Sequence, residues 1–156
     1  MERACPAPLL FRMLLGTYPA KLAVNHRTSI PSPLRNHLGE DIVIAKWYEE
    51  CLVVVARSSF EALLTRIIGE KSLITSPVRG SEHFIFAGAF ELTPDDQGRI
   101  VIPENLISYS GLSEDIYFLG IRDRVEIWDK AAWDQKVKVI SQEAHKYIEE
   151  LDKNGK

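Results

Sequence analysis

The sequence AFELTPDDQGRIVIP at residues 89–103 predicts a tight turn between two strands. Asp95 can accept hydrogen bonds from the backbone of its own turn, and Gly98 can adopt the positive φ that such a turn requires. The apolar residues on either side have strand character. Pro103 is placed to start a short helix, which Gly111 then ends.

An internal repeat carries this pattern into the first half of the chain. When the chain is shifted by 72 residues, six of the 24 positions in 16–39 are identical to those in 88–111. Ordinary composition predicts roughly one or two identities over such a length. The identical pairs are Gly16/Gly88, Arg27/Arg99, Ile30/Ile102, Pro31/Pro103, Leu34/Leu106 and Gly39/Gly111.

Each half is therefore predicted to contain the same order of elements. The first half is expected to have a hairpin of strands 18–23 and 27–30, a helical turn between Pro33 and Gly39, paired strands at 42–48 and 52–57, and a helix behind a Ser58–Glu61 capping box. The second half is expected to have strands at 84–92 and 100–102, a short helix, a hairpin of strands 115–121 and 125–128, and a final helix capped by Asp129. The apolar stripe of the final helix is Trp133, Val137, Ile140, Ala144, Ile148 and Leu151.

Composition and charge limit the classes of protein. The chain is 46% apolar and 26% charged, as in ordinary globular proteins. The net charge of −3 gives no basic signature, but DNA binding depends on where the basic groups lie. The two cysteines form no C-x-x-C pair and the four histidines have no metal-ligand spacing, which indicates a reduced, cytoplasmic protein without a metal or other cofactor. The sequence contains no enzyme motif, so no catalytic residue is assigned.

The repeat also suggests a division of the chain. Residues 1–12 faintly resemble a signal peptide, but Arg12 interrupts the apolar run, which is also too short for a membrane span. They are instead interpreted as an extension from an upstream start codon that need not be native, because the patterned sequence begins at Met13. The first repeat is placed at 13–68, a linker at 69–83 and the second repeat, with the C-terminal helix, at 84–156. Halves of this size are marginal alone, so we expect them to share a core or to oligomerise.

The D-x-x-x-R core at residues 95–99, followed by an Ile-Pro pair, resembles the MraZ family, whose members carry two such motifs in tandem. The segments YSGL at 109–112, DRVEIWDKAAW at 123–133 and MLLGTYPAKL at 13–22 are also similar to that family. The resemblance implies an α+β, mostly β fold. Two pseudo-symmetric AbrB-like (SpoVT-AbrB) swapped-hairpin units would form a shared barrel-like core, with short helices and a C-terminal helix.

The resemblance also implies a function. Such proteins form ring-shaped, octamer-like homo-oligomers and bind double-stranded DNA at short direct repeats in the promoter of their own division and cell-wall gene cluster. They act there mainly as repressors, in the cytoplasm and associated with the nucleoid. No small-molecule substrate and no membrane partner is implied.

The first motif departs from the family pattern. Residues 23–27 read AVNHR, so Ala23 replaces the aspartate and His26 replaces the glycine, while Arg27 remains. Asn25 can partly substitute, because asparagine tolerates the left-handed region. The departure affects target sequence and affinity more than fold.

Arg27 and Arg99 are the main candidates for DNA contacts, because a guanidinium can reach phosphate or the edge of guanine. The alternative is that Arg99 pairs with Asp95 or Asp96 and only fixes the turn. The secondary candidates, for each of which a solvated surface position is the favoured alternative, are Lys21, Asn25, His26, Thr28, Gln97 and Arg79. The residues assigned to shaping the turns are Asp95, Gly98, Asn25, Pro31 and Pro103.

Two other readings of function remain open. A member with an altered first motif can persist as an oligomeric scaffold for protein interactions, without binding DNA. An AbrB-like antitoxin would bind both operator DNA and a toxin, although such antitoxins usually carry one hairpin unit and a disordered tail. The three tryptophans are assigned to packing rather than to base stacking, since they lie in strand and helix patterns.

Overall fold

The computed structural model describes residues 13–69 and 76–154. Its strands are β1 (Leu14–Lys21), β2 (Arg27–Ser29), β3 (Ile42–Lys46), β4 (Leu52–Ala56), β5 (Phe90–Leu92), β6 (Arg99–Val101), β7 (Asp115–Arg122) and β8 (Arg124–Asp129). Its helices are α1 (Ser32–Leu38), α2 (Arg57–Ile68), α3 (Ser76–Phe86), α4 (Glu104–Ser110) and α5 (Lys130–Asn154), and a 3₁₀ turn at Tyr48–Glu50 joins β3 to β4.

The main sheet has internal two-fold symmetry. Its six antiparallel strands lie in the order β1-β7-β8-β4-β3-β5, which reverses when each strand is replaced by its counterpart in the other repeat. The central pair obeys the same symmetry, since Val53 of β4 lies opposite Glu126 of β8. The α+β class is thus confirmed, and helices hold more of the described residues than strands do because α5 alone runs for 25 residues.

The two repeats exchange their first strands. β1 pairs with β7 and β5 pairs with β3, while β2 and β6 pair with each other in a separate two-stranded ribbon. The expected pairings of strands 18–23 with 27–30, and of 84–92 with 100–102, are therefore wrong, because the two strands of each predicted hairpin join different sheets. The swap links the repeats through backbone hydrogen bonds along both edges of the sheet.

One hydrophobic core lies between the sheet and the ribbon. Alternate residues of the central strands point toward it, and α1 and α4 close its sides with Leu34 and Leu106, which are almost fully buried. The ribbon adds Ile100, and the residues directly after its two strands add Ile30 and Ile102. This core fixes the ribbon against the sheet, so that the outer face of the ribbon is directed away from the body of the protein.

A second core lies on the opposite face of the sheet, under α2, α3 and the start of α5. Trp47 and Trp128 are 5% and 6% exposed, and the ring of Trp133 lies 5.2 Å from that of Trp128. These positions agree with the assignment of the tryptophans to packing.

Cys51 lies in this second core and is fully buried. Its thiol lies 3.7 Å from Oε1 of Glu126, which also accepts a hydrogen bond from the Trp128 indole at 2.9 Å. Burial, together with the nearby Glu126 carboxylate, raises the pKa of Cys51 far above its usual range. The thiol therefore stays protonated and packs as a small apolar group.

Three local predictions differ from the structure. Residues 84–86, expected to be strand, end α3, because Pro77 near the helix start and the buried faces of Val78 and Ile85 favour a helix. This helix also occupies part of the expected linker. α2 begins at Arg57, directly after β4 and without a side-chain cap, so the predicted capping box is not formed. The expected extension at 1–12 lies outside the described residues.

Candidate nucleic-acid interface

The ribbon of β2 and β6 presents one buried and one exposed face. Thr28 lies opposite Ile100, and these two side chains are 4% and 5% exposed. Because successive side chains of a strand alternate between faces, the residues on either side of this central pair point outward. The outward residues are Arg27, Ser29, Arg99 and Val101, all of which are exposed.

The symmetry of the ribbon brings the two predicted arginines onto the same surface. Arg27 lies opposite Val101, and Arg99 lies opposite Ser29. The arginines are therefore diagonal neighbours, and such positions are about 7–8 Å apart in an antiparallel pair. The surface thus carries two guanidinium groups that residues 72 apart in the chain supply.

The two turns that precede the ribbon strands have the same backbone hydrogen bonds. In the first, the N–H of His26 donates to Ala23 O at 2.9 Å, and in the second the N–H of Gly98 donates to Asp95 O at 2.8 Å. Both His26 and Gly98 have positive φ, of 64° and 76°. His26 is therefore the residue of the first turn whose backbone lies in the left-handed region, and the expectation that Asn25 adopts this conformation is wrong.

Each turn is also bonded to the opposite repeat. The N–H of Ile30 donates to Gly98 O, and that of Ile102 donates to His26 O, both at 2.9 Å. These reciprocal bonds hold each arginine-bearing strand at the end of the other repeat's turn. Pro31 and Pro103, which follow, are the N-cap residues of α1 and α4.

Asp95 organises the second turn and Arg99 together. Its Oδ1 accepts hydrogen bonds from the main-chain N–H groups of Gln97 and Arg99, each at 2.9 Å, and its Oδ2 accepts one from Nε–H of Arg99 at 2.6 Å. The main-chain and guanidinium hydrogen bonds from Arg99 hold the pKa of Asp95 below its usual value. Arg99 and Asp95 thus form the ion pair that is the alternative to a DNA contact, and their side chains remain 44% and 43% exposed, respectively.

The first turn lacks this arrangement because Ala23 has no carboxylate. Asn25 Oδ1 accepts only the main-chain N–H of Arg27, at 3.3 Å. Within residues 13–69 and 76–154, no carboxylate lies within ion-pair distance of the Arg27 guanidinium. The two symmetric arginines therefore differ in how firmly they are held.

Lys21 extends the basic surface next to the ribbon. A cavity of about 400 Å³ is lined by Lys21, Arg27 and Arg99 among other residues. The ammonium group of Lys21 forms an ion pair with Asp115 across the β1–β7 edge. That pair is exposed, so competition by a phosphate would cost little.

The other predicted contact residues lie in different environments. Gln97 is exposed at the tip of the second turn, and His26 is partly exposed in the first. Thr28 is buried in the core beneath the ribbon, since its side chain points inward, and it is not part of the exposed surface. Arg79 is exposed on α3, which packs on the opposite face of the sheet, so it is separated from the ribbon.

Arg35 was not predicted from the sequence, but it supports the second turn. A Cβ placed on Gly98 would lie 2.2 Å from Cδ of Arg35, so the arginine packs directly against the glycine. In the symmetric position, Ile107 and His26 line a cavity of about 410 Å³. The repeat alignment contained the signal, because a charged residue at 35 stands where the other half has an apolar residue at 107.

Other types of site are absent from the described part of the chain. Residues 13–69 and 76–154 contain no cluster of three or more metal-binding side chains. Over the same residues, no helix has the length and apolar character needed to cross a membrane.

The fold and this surface define a protein of two interleaved α+β repeats that displays paired arginines on a short β-ribbon. Residues 85–154 match the family model described as "MraZ protein, putative antitoxin-like". The "Transcriptional regulator MraZ" of Acetivibrio thermocellus is 38% identical over 124 residues, which are 78% of this chain and 85% of that protein. The protein of the same name from Caldicellulosiruptor saccharolyticus is 31% identical over 143 residues, 92% of this chain and 99% of its own length.

A third relative, from Thermobifida fusca, has the same name and is 36% identical over 121 residues, covering 78% of this chain and 84% of that protein. The chain belongs to the MraZ family. These relatives are named as regulators and not as enzymes, in agreement with the lack of a catalytic motif.

Proposed function

We propose that the protein is a transcriptional regulator that binds double-stranded DNA through the outer face of the β2–β6 ribbon. The observation that carries the proposal is the presence of Arg27 and Arg99 on one exposed surface, related by the internal symmetry. A two-stranded ribbon fits the major groove of B-DNA, where arginine can donate two hydrogen bonds to guanine. The names of the relatives support the regulatory role.

The same proposal includes assembly into a ring-shaped homo-oligomer. One ribbon offers few contacts, and several ribbons on one ring can bind repeated sites with a gain set by geometry. The C-terminal half of α5 supports self-association, because Ile148 and Leu151 of its apolar stripe are 68% and 71% exposed. Exposed apolar surface of this kind commonly marks an interaction site.

The finer assignments rest on the family resemblance. We propose short direct repeats in the promoter of the protein's own division and cell-wall gene cluster as the target, and repression as the main effect. The protein would then act in the cytoplasm, associated with the nucleoid. The two repeats, at 13–68 and 84–156, would each supply one arginine to the ribbon.

A second candidate is the antitoxin, which the family description "putative antitoxin-like" favours. In that case the exposed stripe of α5 would bind a toxin, while the ribbon would still bind operator DNA. The scaffold remains the third candidate, since the net charge of −3 gives no overall attraction to DNA.

A mobility-shift titration tests the proposed function. The full chain is titrated against the promoter upstream of its own gene and against random DNA of equal length, at several salt concentrations. We expect tighter binding to the promoter and a linear fall of log affinity with log salt, because phosphate contacts release counterions. Equal binding to both DNAs at physiological salt would refute the regulator and favour the scaffold, and copurification of a small toxin would favour the antitoxin.

A further inference from the structure

The two ribbon arginines differ in preorganisation. The carboxylate of Asp95 binds both the main-chain N–H and Nε of Arg99, at 2.9 and 2.6 Å. This contact fixes the plane of the guanidinium at its Nε. Neither Nη of Arg99 donates a hydrogen bond to any residue in 13–69 or 76–154. The two terminal Nη groups of an oriented guanidinium are thus available to bind a ligand.

The guanidinium of Arg27 is not preorganised in this way. Ala23 stands where Asp95 stands in the second turn, and no carboxylate of the described residues lies within ion-pair distance of the Arg27 guanidinium. The Asn25 side chain accepts a hydrogen bond from the main-chain N–H of Arg27, at 3.3 Å, and does not contact the guanidinium. The positive charge of Arg27 therefore has no carboxylate beside it in residues 13–69 and 76–154, whereas the charge of Arg99 is balanced locally by Asp95.

These two states suit different parts of DNA. Recognition of guanine needs two parallel hydrogen bonds in a fixed geometry, which a preorganised guanidinium supplies. Phosphate groups accept contacts in many geometries and carry no sequence information. A carboxylate such as that of Asp95 is repelled by phosphate but is tolerated next to base edges, some of which are hydrogen-bond donors.

We propose that Arg99 reads a guanine in the major groove, positioned by Asp95, and that Arg27 binds the phosphate backbone. This assignment rests on the proposed DNA-binding function and adds a polarity to it. The ribbon is symmetric about the Thr28–Ile100 pair, so two equivalent arginines would let it dock in either of two orientations. The difference between the two turns gives each subunit one direction along the DNA.

The test measures affinity for promoter and random duplexes by fluorescence anisotropy over a series of salt concentrations. For Arg99→Lys we expect the ratio of promoter to random affinity to fall by about 5- to 100-fold, because lysine cannot make the bidentate contact. For Arg27→Lys we expect both affinities to fall by the same factor, so that the ratio of promoter to random affinity stays within about threefold of wild type, since lysine binds phosphate only as a point charge and phosphate contacts carry no sequence information. For Arg27→Ala we expect an equal loss on both DNAs and a shallower salt dependence.

Two further variants change the orienting carboxylate alone. Asp95→Asn keeps an oxygen that can accept the turn N–H groups, as Asn25 does, but removes the charge that holds Arg99. We expect it to lose promoter preference while its affinity for random DNA stays equal or rises. Ala23→Asp adds a carboxylate beside Arg27, and we expect weaker binding to random DNA. Circular dichroism checks that each exposed substitution leaves the fold intact.

The outcomes separate the two proposals. A wild-type protein that does not prefer its promoter overturns the proposed function and this assignment together. A wild-type protein that prefers its promoter, with Arg27→Lys and Arg99→Lys losing that preference equally, overturns only the division of roles. Loss of preference in Arg27→Lys alone would reverse the assignment and so overturn it.

Discussion

Neither repeat is expected to fold as a monomer when the chain is divided within residues 70–75. Of the six pairings between described strands, four join the two repeats: β1 with β7, β2 with β6, β3 with β5 and β4 with β8. The fragment 13–69 would keep only the β3–β4 pairing. An isolated two-stranded hairpin is marginal at best in water.

The core gives the magnitude of this effect. Leu22, Ile30, Leu34 and Leu38 are buried in a cluster that also contains side chains from the second repeat. Full burial of four such side chains contributes roughly 6–12 kcal/mol, and the whole free energy of unfolding of a domain is about 5–15 kcal/mol. Loss of this burial would therefore remove a free energy comparable to the whole stability of a domain.

The assay is the dispersion of amide signals in ¹H–¹⁵N NMR spectra, with sedimentation to give the mass. We expect fragments 13–69 and 76–156 to be unfolded when they are monomeric, and to give a dispersed spectrum as a one-to-one complex when mixed. A fragment that folds with another copy of itself would still be consistent with strand exchange. A folded, cooperatively unfolding monomer of either fragment would refute the interleaved topology.

Three further substitutions test other parts of the structure. Gly98→Ala is expected to lower the free energy of unfolding, measured in urea, by about 1–3 kcal/mol, since φ at this position is 76° and the new Cβ would meet Arg35. His26→Ala is the control: the wild-type residue there is not glycine, so the free energy of unfolding should change by less than about 1 kcal/mol. Equal effects of the two substitutions would show that Gly98 is not needed for the conformation of its turn. Because the pKa of Cys51 is raised in the folded state, its contribution to stability is full below the unfolded pKa of about 8.5 and is lost as pH rises above it. Wild type should therefore lose about 2 kcal/mol between pH 8 and pH 10 relative to Cys51→Ala, and parallel pH profiles would show that the thiol is not buried. Ile148→Glu is expected to reduce the oligomer mass measured by sedimentation without changing the fold, whereas Lys146→Glu, on the opposite face of α5, should leave the mass unchanged. An unchanged mass for Ile148→Glu would exclude the apolar stripe of α5 from the subunit contact.

The local features of the ribbon could be predicted from the sequence, but its partners could not. Gly98, Pro103 and the 72-residue repeat located the turns, the short helices and the pair Arg27/Arg99, because these signals act over a few residues. The exchange of β1 and β5 between repeats depends on packing between positions that are far apart in the chain, as in the pairing of Tyr18 with Phe118 and of Ile44 with Phe90. No local pattern specifies such a pairing.

Two errors in the sequence reading have simple physical causes. The apolar run at 84–86 has the composition of a strand, but a short apolar run does not distinguish a buried strand from the end of a helix. In the first turn, the hydrogen-bond pattern places His26 at the left-handed position because His26, and not Asn25, is equivalent to Gly98. The register of the turn therefore determines which residue takes the positive φ, although asparagine has the stronger preference for the left-handed region.

We propose that the ribbon surface binds DNA, and two variants that each lose two positive charges test this proposal. Arg27→Ala/Arg99→Ala removes two positive charges from the ribbon, and Lys138→Ala/Lys146→Ala removes two from the exposed side of α5, beyond the opposite face of the sheet. In fluorescence anisotropy with promoter DNA at physiological salt, we expect the ribbon variant to lose specific binding and the α5 variant to bind within about twofold of wild type. Promoter binding by the ribbon variant at wild-type affinity, or an equal loss in both variants, would contradict the claim.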